Sequence, residues 1–325
     1  MRHRIRTLGS GQQRLSAATI LTAALSSLLA TATPAMATPT TDSAAHPTSP
    51  QVTCTSAEDG RAERLAKDLG RVLNSHASGG HLSFALYDRK SNTKCAYDAS
   101  RKYDSASVVK VTVLGALLRQ AQDEKRELTA DEKNLAEQMI TKSDNDATSA
   151  LWKKIGLARI NTFLRLAGMH DTLPDTEGYW GLTQINAADQ LTLLNLLTTE
   201  NSVLGGTARA YALDLMSRVV PEQRWGVPAG APAGAKVHVK NGWLERTGGG
   251  WRVHSVGAFT GQGHDYALAV LTADHPTMSA GVEAIEDLSR TVHKDLNGTA
   301  GPARKARATV LPNTSDGSLV PGTGR

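Results

Sequence analysis

The sequence predicts an α+β fold: an antiparallel sheet flanked by N- and C-terminal helices, with an inserted all-helical lobe. Strand-like segments occur in two groups, at residues 82–97 and 236–273. A long run of helical segments separates the two groups. Gly-rich or polar turns join neighbouring strands within each group. One sheet built from both groups requires the helical run to be an insertion, and clefts commonly form where two such lobes meet.

The first group begins with a helix and continues with a hairpin. Residues 57–76 carry apolar side chains at helical spacing, among them Leu65 and Leu69. The run L-S-F-A-L-Y-D at residues 82–88 is typical of a strand, and a polar turn joins it to a second short strand at residues 95–97.

Helical periodicity then recurs from residue 107 to about residue 219, which defines the lobe. Gly and Pro clusters separate several of its segments. The predicted helices are 108–120, 130–142, 147–155, 157–167, 187–199 and 208–218.

The second group of strands follows the lobe. Residues 236–246 and 251–260 are predicted strands joined by the turn Gly248-Gly249-Gly250, and residues 266–273 form a third. An amphipathic helix at residues 278–296 closes the domain.

Residues 1–37 have the pattern of a secretory signal peptide. A basic start is followed by an apolar stretch from about Leu15 to Ala30 and by the small-x-small site Ala35-Met36-Ala37. An uncleaved anchor is the alternative, but the stretch is short for a membrane span and no cysteine marks a lipid anchor. We therefore expect a secreted, extracellular protein with no stable membrane anchor.

Three further segments complete the predicted organisation. Residues 38–52 are rich in Thr, Pro, Ser and Ala and predict a flexible linker, and residues 298–325 predict a disordered tail. The folded domain is expected at residues 53–297, as a monomer.

The net charge of +5 overstates how basic the folded part is. Four arginines lie in residues 1–37, where no acidic residue balances them, so the mature chain is close to neutral. A neutral body argues against a general nucleic-acid binder. The two cysteines, Cys54 and Cys95, predict one disulfide in a secreted chain, with two free thiols as the alternative.

Ser107 and Lys110 stand at the head of an apolar helical run, in the pattern S-x-x-K. Positions i and i+3 share a helix face, so a desolvated, neutral lysine there can take the proton of the serine. The pattern alone is weak, because Ser91 and Lys94 repeat it at a hairpin turn. Taken alone, Ser107 is equally well explained as a helix N-cap.

Two other short motifs follow along the chain. Ser143-Asp144-Asn145 lies between two predicted helices, where the same residues also suit a turn or a helix cap. Lys240-Asn241-Gly242 places a lysine inside an apolar strand, and the glycine permits close approach of another backbone or a ligand. An Asn-Gly turn is the alternative for that motif.

In this order, the three motifs resemble those of the class A β-lactamase and penicillin-binding protein superfamily. The resemblance implies a β-lactamase/transpeptidase-like fold and an acyl-enzyme mechanism, with Ser107 as nucleophile, Lys110 as its base and Ser143 as proton relay. It implies that Asn145, Lys240, Asn241 and Gly242 contact the substrate. The implied oxyanion hole is the backbone N–H groups of Ser107 and Trp243.

Two departures from the family pattern bear on the reaction. The triad reads Lys-Asn-Gly, so an amide replaces the hydroxyl that usually meets the substrate carboxylate. The E-x-x-L-N-like run that supplies the deacylating base is missing after Gly168, where only Glu177 is available as a substitute. Its alternative role is that of a solvated loop carboxylate. We therefore expect acylation with slow hydrolysis.

We expect no metal and no cofactor, because the ten histidines form no close ligand set. His238 and His254 are expected at the surface, and Trp180 and Trp243 are candidates for the border of a cleft. The expected partner is a small-molecule β-lactam or a cell-wall peptide. Two alternatives remain: a D-alanyl-D-alanine peptidase or esterase with the same residues, and a non-catalytic penicillin-binding-like module.

Overall fold

A computed structural model describes residues 51–246 and 248–298 of the chain. The predicted signal peptide, most of the linker and the tail lie outside these residues. The described part contains a six-stranded antiparallel sheet in the order β1-β3-β2-β8-β7-β6 and a two-stranded sheet formed by β4 and β5. The strands are Thr53–Thr55 (β1), His81–Asp88 (β2), Thr93–Tyr97 (β3), Tyr103–Asp104 (β4), Gln184–Ile185 (β5), Lys236–Arg246 (β6), Gly250–Gly261 (β7) and His264–His275 (β8).

Eight α-helices lie in the described residues, and six of them form the insertion between β4 and β6. The predicted α+β class with an antiparallel sheet is confirmed. The helices are Arg61–His76 (α1), Val109–Asp123 (α2), Ala130–Thr141 (α3), Asn145–Ile155 (α4), Leu157–Ala167 (α5), Ala187–Thr198 (α6), Gly206–Ser217 (α7) and Met278–Asn297 (α8). None of these described helices is long and apolar enough to cross a membrane.

The two groups of strands meet in the middle of the sheet, where β2 pairs with β8. Leu86 lies opposite Leu268 and Phe84 opposite Val270, and all four side chains are buried. Helices α1 and α8 pack on each other, α8 also packs on β7 and β8, and α6 packs on β2 and β8. Burial of this apolar surface stabilises the sheet although its halves are distant in sequence.

The disulfide between Cys54 and Cys95 is confirmed, and it links β1 to β3. The two cysteines are directly opposite each other in the antiparallel register. Strand β1 has only three residues, so pattern reasoning did not predict it; its pairing and the disulfide hold it at the edge of the sheet.

The other differences from the predicted elements are short. Helix α1 begins at Arg61 rather than at residue 57, and α4 begins at Asn145 rather than at residue 147, because the Asp144 carboxylate accepts a hydrogen bond from the backbone N–H of Ala147. The two-residue strands β4 and β5 are too short to show periodicity. They nevertheless matter, because β4 leads directly into the segment that carries Ser107.

We expect the disulfide to contribute about 3 to 4 kcal/mol to the free energy of unfolding, because it closes a loop across 41 positions of the unfolded chain. Replacing Cys54 and Cys95 together by serine should lower the unfolding free energy in urea by that amount. Reductant should destabilise the wild type equally and leave the double variant unchanged. A loss below about 1 kcal/mol would contradict this estimate.

Candidate active site

Ser107 lies in a short 3₁₀ helix, Ala106–Val108, that leads directly into α2. Its side chain is fully buried, and neither helix start has a side-chain cap, so the N-cap explanation does not describe its place. Ala106 has φ 45°, a left-handed conformation that is costly for a residue with a Cβ atom. Such local strain is common beside reactive side chains.

Gly242 on β6 allows the sheet to approach the backbone of this 3₁₀ helix. A Cβ atom at position 242 would lie 2.8 Å from the backbone nitrogen of Ser107 and 2.9 Å from that of Val108. Those distances are too short for any side chain, so glycine is required at this point of the strand. The expectation of a close backbone approach at Gly242 thus has a definite partner, the segment that carries Ser107.

Two buried lysines converge on the hydroxyl of Ser143. Lys240 Nζ donates to Ser143 Oγ at 3.0 Å, and Lys110 Nζ lies 3.1 Å from the same oxygen. Lys110 Nζ also donates to the backbone oxygen of Ser143 at 2.7 Å and to Asn145 Oδ1 at 2.8 Å. The three motifs are therefore brought together: α2, the α3–α4 turn and β6 each supply part of one cluster.

The two amines cannot both be charged at low cost. Burial lowers the pKa of Lys110 well below its usual value, and the nearby Lys240 lowers it further, while Asp144 acts in the opposite direction. Burial lowers the pKa of Lys240 to about 7. Desolvation and like-charge repulsion thus favour a neutral Lys110, which is the form that can accept a proton.

The Ser143-Asp144-Asn145 motif caps a helix and also contacts Lys110. Asp144 caps α4, whereas Ser143 and Asn145 contact the amine of Lys110. Ser143 has φ 59°, so the turn between α3 and α4 holds it in a left-handed conformation. The cap fixes where α4 begins and thereby positions the residues on either side of Asp144.

Trp180 covers the amine of Lys110. The centroid of its ring lies 4.8 Å from Lys110 Nζ, its Nε1–H donates to Ser149 Oγ at 3.1 Å, and its side chain is 1% exposed. Glu177, three residues earlier, is exposed, and its carboxylate makes no hydrogen bond or ion pair within the described residues. The residue of this loop that meets Lys110 is a tryptophan; sequence reasoning had placed Trp180 only at the border of a cleft.

Asn241 is placed differently from the expected role. Neighbouring residues of a strand point to opposite faces, and the Asn241 amide donates to the backbone oxygens of Gln223 at 2.8 Å and Trp225 at 3.0 Å. The side chain is fully buried, so it braces the loop before β6 and does not present its amide to a substrate carboxylate. Trp243 is also buried, with its ring centroid 6.0 Å from that of Trp225.

The expectation that His238 and His254 lie at the surface is wrong. His238 is 2% exposed and contacts the backbone oxygen of Leu213 at 2.7 Å, and His254 is fully buried. His254 Nε2 donates to the backbone oxygen of Asp104 at 2.9 Å, and its Nδ1 accepts from the N–H of Thr272 at 3.1 Å. The middle of β6 and of β7 is buried on both faces, so a side chain on either face of these strands lies inside the protein.

His254 helps to position the segment that carries Ser107, because it lies opposite Gly242 in the β6–β7 register. Both residues face the segment from Asp104 to Ser107: the glycine admits its backbone, and the imidazole fixes the carbonyl of Asp104. Burial lowers the pKa of His254 to about 4, so the ring stays neutral at physiological pH.

Comparison with known proteins agrees with this arrangement. The family model Beta-lactamase2, described as the Beta-lactamase enzyme family, matches residues 64–133 and 129–296. The chain therefore belongs to the Beta-lactamase enzyme family.

One curated relative is the Mycobacterium tuberculosis protein that bears the name "Putative lipoprotein LppW". It is 27% identical over 188 residues, which cover 56% of this chain and 60% of that protein. The match thus spans about three fifths of the relative's length.

Solved structures of class A β-lactamases share the fold. A variant of the last common ancestor of the Gram-negative class A enzymes is 21% identical with a TM-score of 0.61, over 71% of this chain and 98% of that one. A β-lactamase from Sphaerobacter thermophilus is 21% identical with a TM-score of 0.60, and the match covers 70% of this chain and 96% of that one. The structure of PBP-A is 20% identical with a TM-score of 0.62, and the match covers 72% of this chain and 97% of that one.

We expect Gly242→Ala to displace the segment that carries Ser107, because the new Cβ would force β6 and the 3₁₀ helix apart. The labelling of the variant with a fluorescent penicillin should fall at least about 100-fold, since a displacement of 1 Å at a reacting group can cost that much. Gly70→Ala is the matched control, since a Cβ at that position of α1 meets no atom within 4 Å. Normal labelling of Gly242→Ala would contradict the close approach.

We expect stability to fall in acid through His254. The histidine of the unfolded chain binds a proton below pH about 6.5, whereas the folded protein does so only below pH about 4, so the unfolding free energy decreases as pH falls across this window. The contribution is about 3 kcal/mol. His254→Gln retains a donor for the Asp104 carbonyl and should flatten the dependence, measured by urea unfolding between pH 4 and 7. His170→Gln, a control at an exposed position, should leave this pH dependence unchanged. If the unfolding free energy falls with pH at the same slope in the wild type and in His254→Gln, His254 is excluded as the cause.

Proposed function

We propose that this chain is a secreted serine hydrolase of the class A β-lactamase type that forms an acyl-enzyme with a β-lactam or a related amide through Ser107. The observation that carries the proposal is the convergence of two buried lysines on the Ser143 hydroxyl, beside the segment that holds Ser107. The disulfide between Cys54 and Cys95 supports an oxidising compartment and hence export.

Acylation begins with proton transfer from Ser107 to neutral Lys110, three residues along the chain. The Ser107 oxygen attacks the amide carbonyl, and the backbone N–H groups of Ser107 and Trp243 stabilise the oxyanion. The contact between Gly242 and the backbone of Ser107 supports this pairing, because Trp243 directly follows the glycine.

The leaving nitrogen then needs a proton, and Ser143 is the relay. Its hydroxyl lies between the two amines, so it can pass a proton to the nitrogen and recover one from Lys110 or Lys240. In its charged form Lys240 also attracts a substrate carboxylate. Asn145 accepts a hydrogen bond from Lys110 and is partly exposed, so its amide would hold the substrate.

Deacylation is the slow step of the proposed reaction. A positioned general base contributes about 10² to 10⁴ to such a step, and the exposed Glu177 carboxylate has no partner in the cluster among the described residues. A β-lactam would therefore stay attached to Ser107. This outcome resembles that of a penicillin-binding protein more than that of an efficient resistance enzyme.

Incubation with benzylpenicillin should add the whole mass of the drug to the wild type, because ring opening releases no fragment. Ser107→Ala should show no adduct in the same intact-mass measurement, and nitrocefin turnover should be slow. Rapid drug loss without an adduct would favour an efficient β-lactamase with Glu177 as the base. Release of D-alanine from a cell-wall peptide would favour the peptidase. Reversible competition without any adduct would favour a non-catalytic module.

A further inference from the structure

Trp180 is fixed from two sides, so its place over Lys110 is a built feature of the site. Its indole N–H is held by Ser149 of α4, and its backbone oxygen lies 3.3 Å from Ser105 Oγ, which donates to it. The backbone N–H of Ser105 donates to Thr183 at 2.8 Å. The loop that carries Trp180 is thereby attached to the same segment as the nucleophile.

Lys110 Nζ is surrounded by oxygens and by one ring. Two oxygens of Ser143 and one of Asn145 lie within hydrogen-bond distance, and the ring of Trp180 lies over the amine. The charged groups that act on Lys110 are Lys240 and Asp144. Asp144 caps α4 and its side chain is exposed, and Lys240 is engaged with Ser143, so Lys110 is the amine that the ring of Trp180 covers.

Hydrolysis of an acyl-enzyme places a water beside such a base. The water oxygen bonds to the ester carbon, its proton passes to the base, and the bond from Ser107 Oγ to that carbon breaks while Oγ recovers a proton. A base must lie within about 3 Å of the water it activates. An indole over the Lys110 amine occupies volume that this water would need.

We propose that Trp180 is a positioning residue that sets the lifetime of the acyl-enzyme by covering Lys110 and denying a hydrolytic water access to it. This inference rests on the proposed acylation of Ser107. Slow hydrolysis then has two causes: the ring of Trp180 shields Lys110, and the usual carboxylate motif is absent. Lys110 then serves as base in acylation, when Ser107 itself supplies the proton, and is shielded afterwards.

The test separates acylation from deacylation in the full-length protein. The acyl-enzyme is formed with benzylpenicillin and freed of excess drug, and the decay of the adduct is followed by intact mass at pH 6 to 9. Trp180→Ala should shorten the half-life at least about ten-fold, with the acylation rate within about three-fold of the wild type. Its deacylation rate should rise with pH only where the neutral fraction of Lys110 still rises, whereas that of the wild type should change little throughout.

Three further variants make the result decisive. Trp180→Phe retains a ring and should keep a half-life within about three-fold of the wild type, and Trp251→Phe, on β7, is the matched control. Ser149→Ala removes only the anchor of the indole and should accelerate decay less than Trp180→Ala does; it replaces that variant if Trp180→Ala does not fold. Unchanged half-lives in folded Trp180→Ala or Ser149→Ala would overturn the inference while leaving acylation intact. Absence of any adduct in the wild type would instead overturn the proposed function itself.

Discussion

The amines of Lys110 and Lys240 are buried together with the hydroxyl of Ser143, and the rest of the structure has to keep these three groups in contact. Removing an ammonium group from water costs several kcal/mol, and a second like charge a few ångströms away adds repulsion. Lys110, Ser143 and Lys240 are all less than one tenth exposed, and 97 residues separate the second from the third. The lobe and the sheet must hold these groups together against that cost, and the result is a lysine whose pKa lies well below its usual value.

Several neighbouring residues hold the elements around the Lys110, Ser143 and Lys240 cluster in place. Gly242 lets β6 reach the backbone of Ser107, and His254, opposite it on β7, fixes the carbonyl of Asp104. On the other side of the cleft, Asp144 determines where α4 begins and so where Ser143 and Asn145 lie. Each of these contacts ties a strand or a helix to a segment that carries Ser107 or Ser143. The positions of these side chains are therefore set by regular secondary structure.

The sequence was informative where a local pattern determines structure. Periodicity and Gly-rich turns predicted the strands at residues 236–246 and 251–260 within a residue or two, because apolar alternation and turn chemistry are local properties. The S-x-x-K spacing places Lys110 about one helical turn after Ser107, and its role as the base of Ser107 stays a prediction. Strand β1 was missed because three residues are too few to show a period.

Properties that depend on distant packing could not be read from the pattern. The burial of His254 depends on the layer above β7, and the orientation of Asn241 depends on the loop at residues 223–225. The left-handed conformation of Ala106 has no compositional signal, because alanine gives no indication of a positive φ. The contact of Trp180 with Lys110 likewise arises only when two segments 70 positions apart fold together.

The split sheet also affects when the protein becomes reactive. Strands β6, β7 and β8 are the last strands to be synthesised, so a growing chain that already carries Ser107 still lacks Lys240 and the glycine that lies against the backbone of Ser107. Pairings between segments so far apart form slowly and only when both are present. On the proposed mechanism, a nascent polypeptide would therefore be unable to acylate Ser107 through most of translation, until the final third of the domain has joined the first.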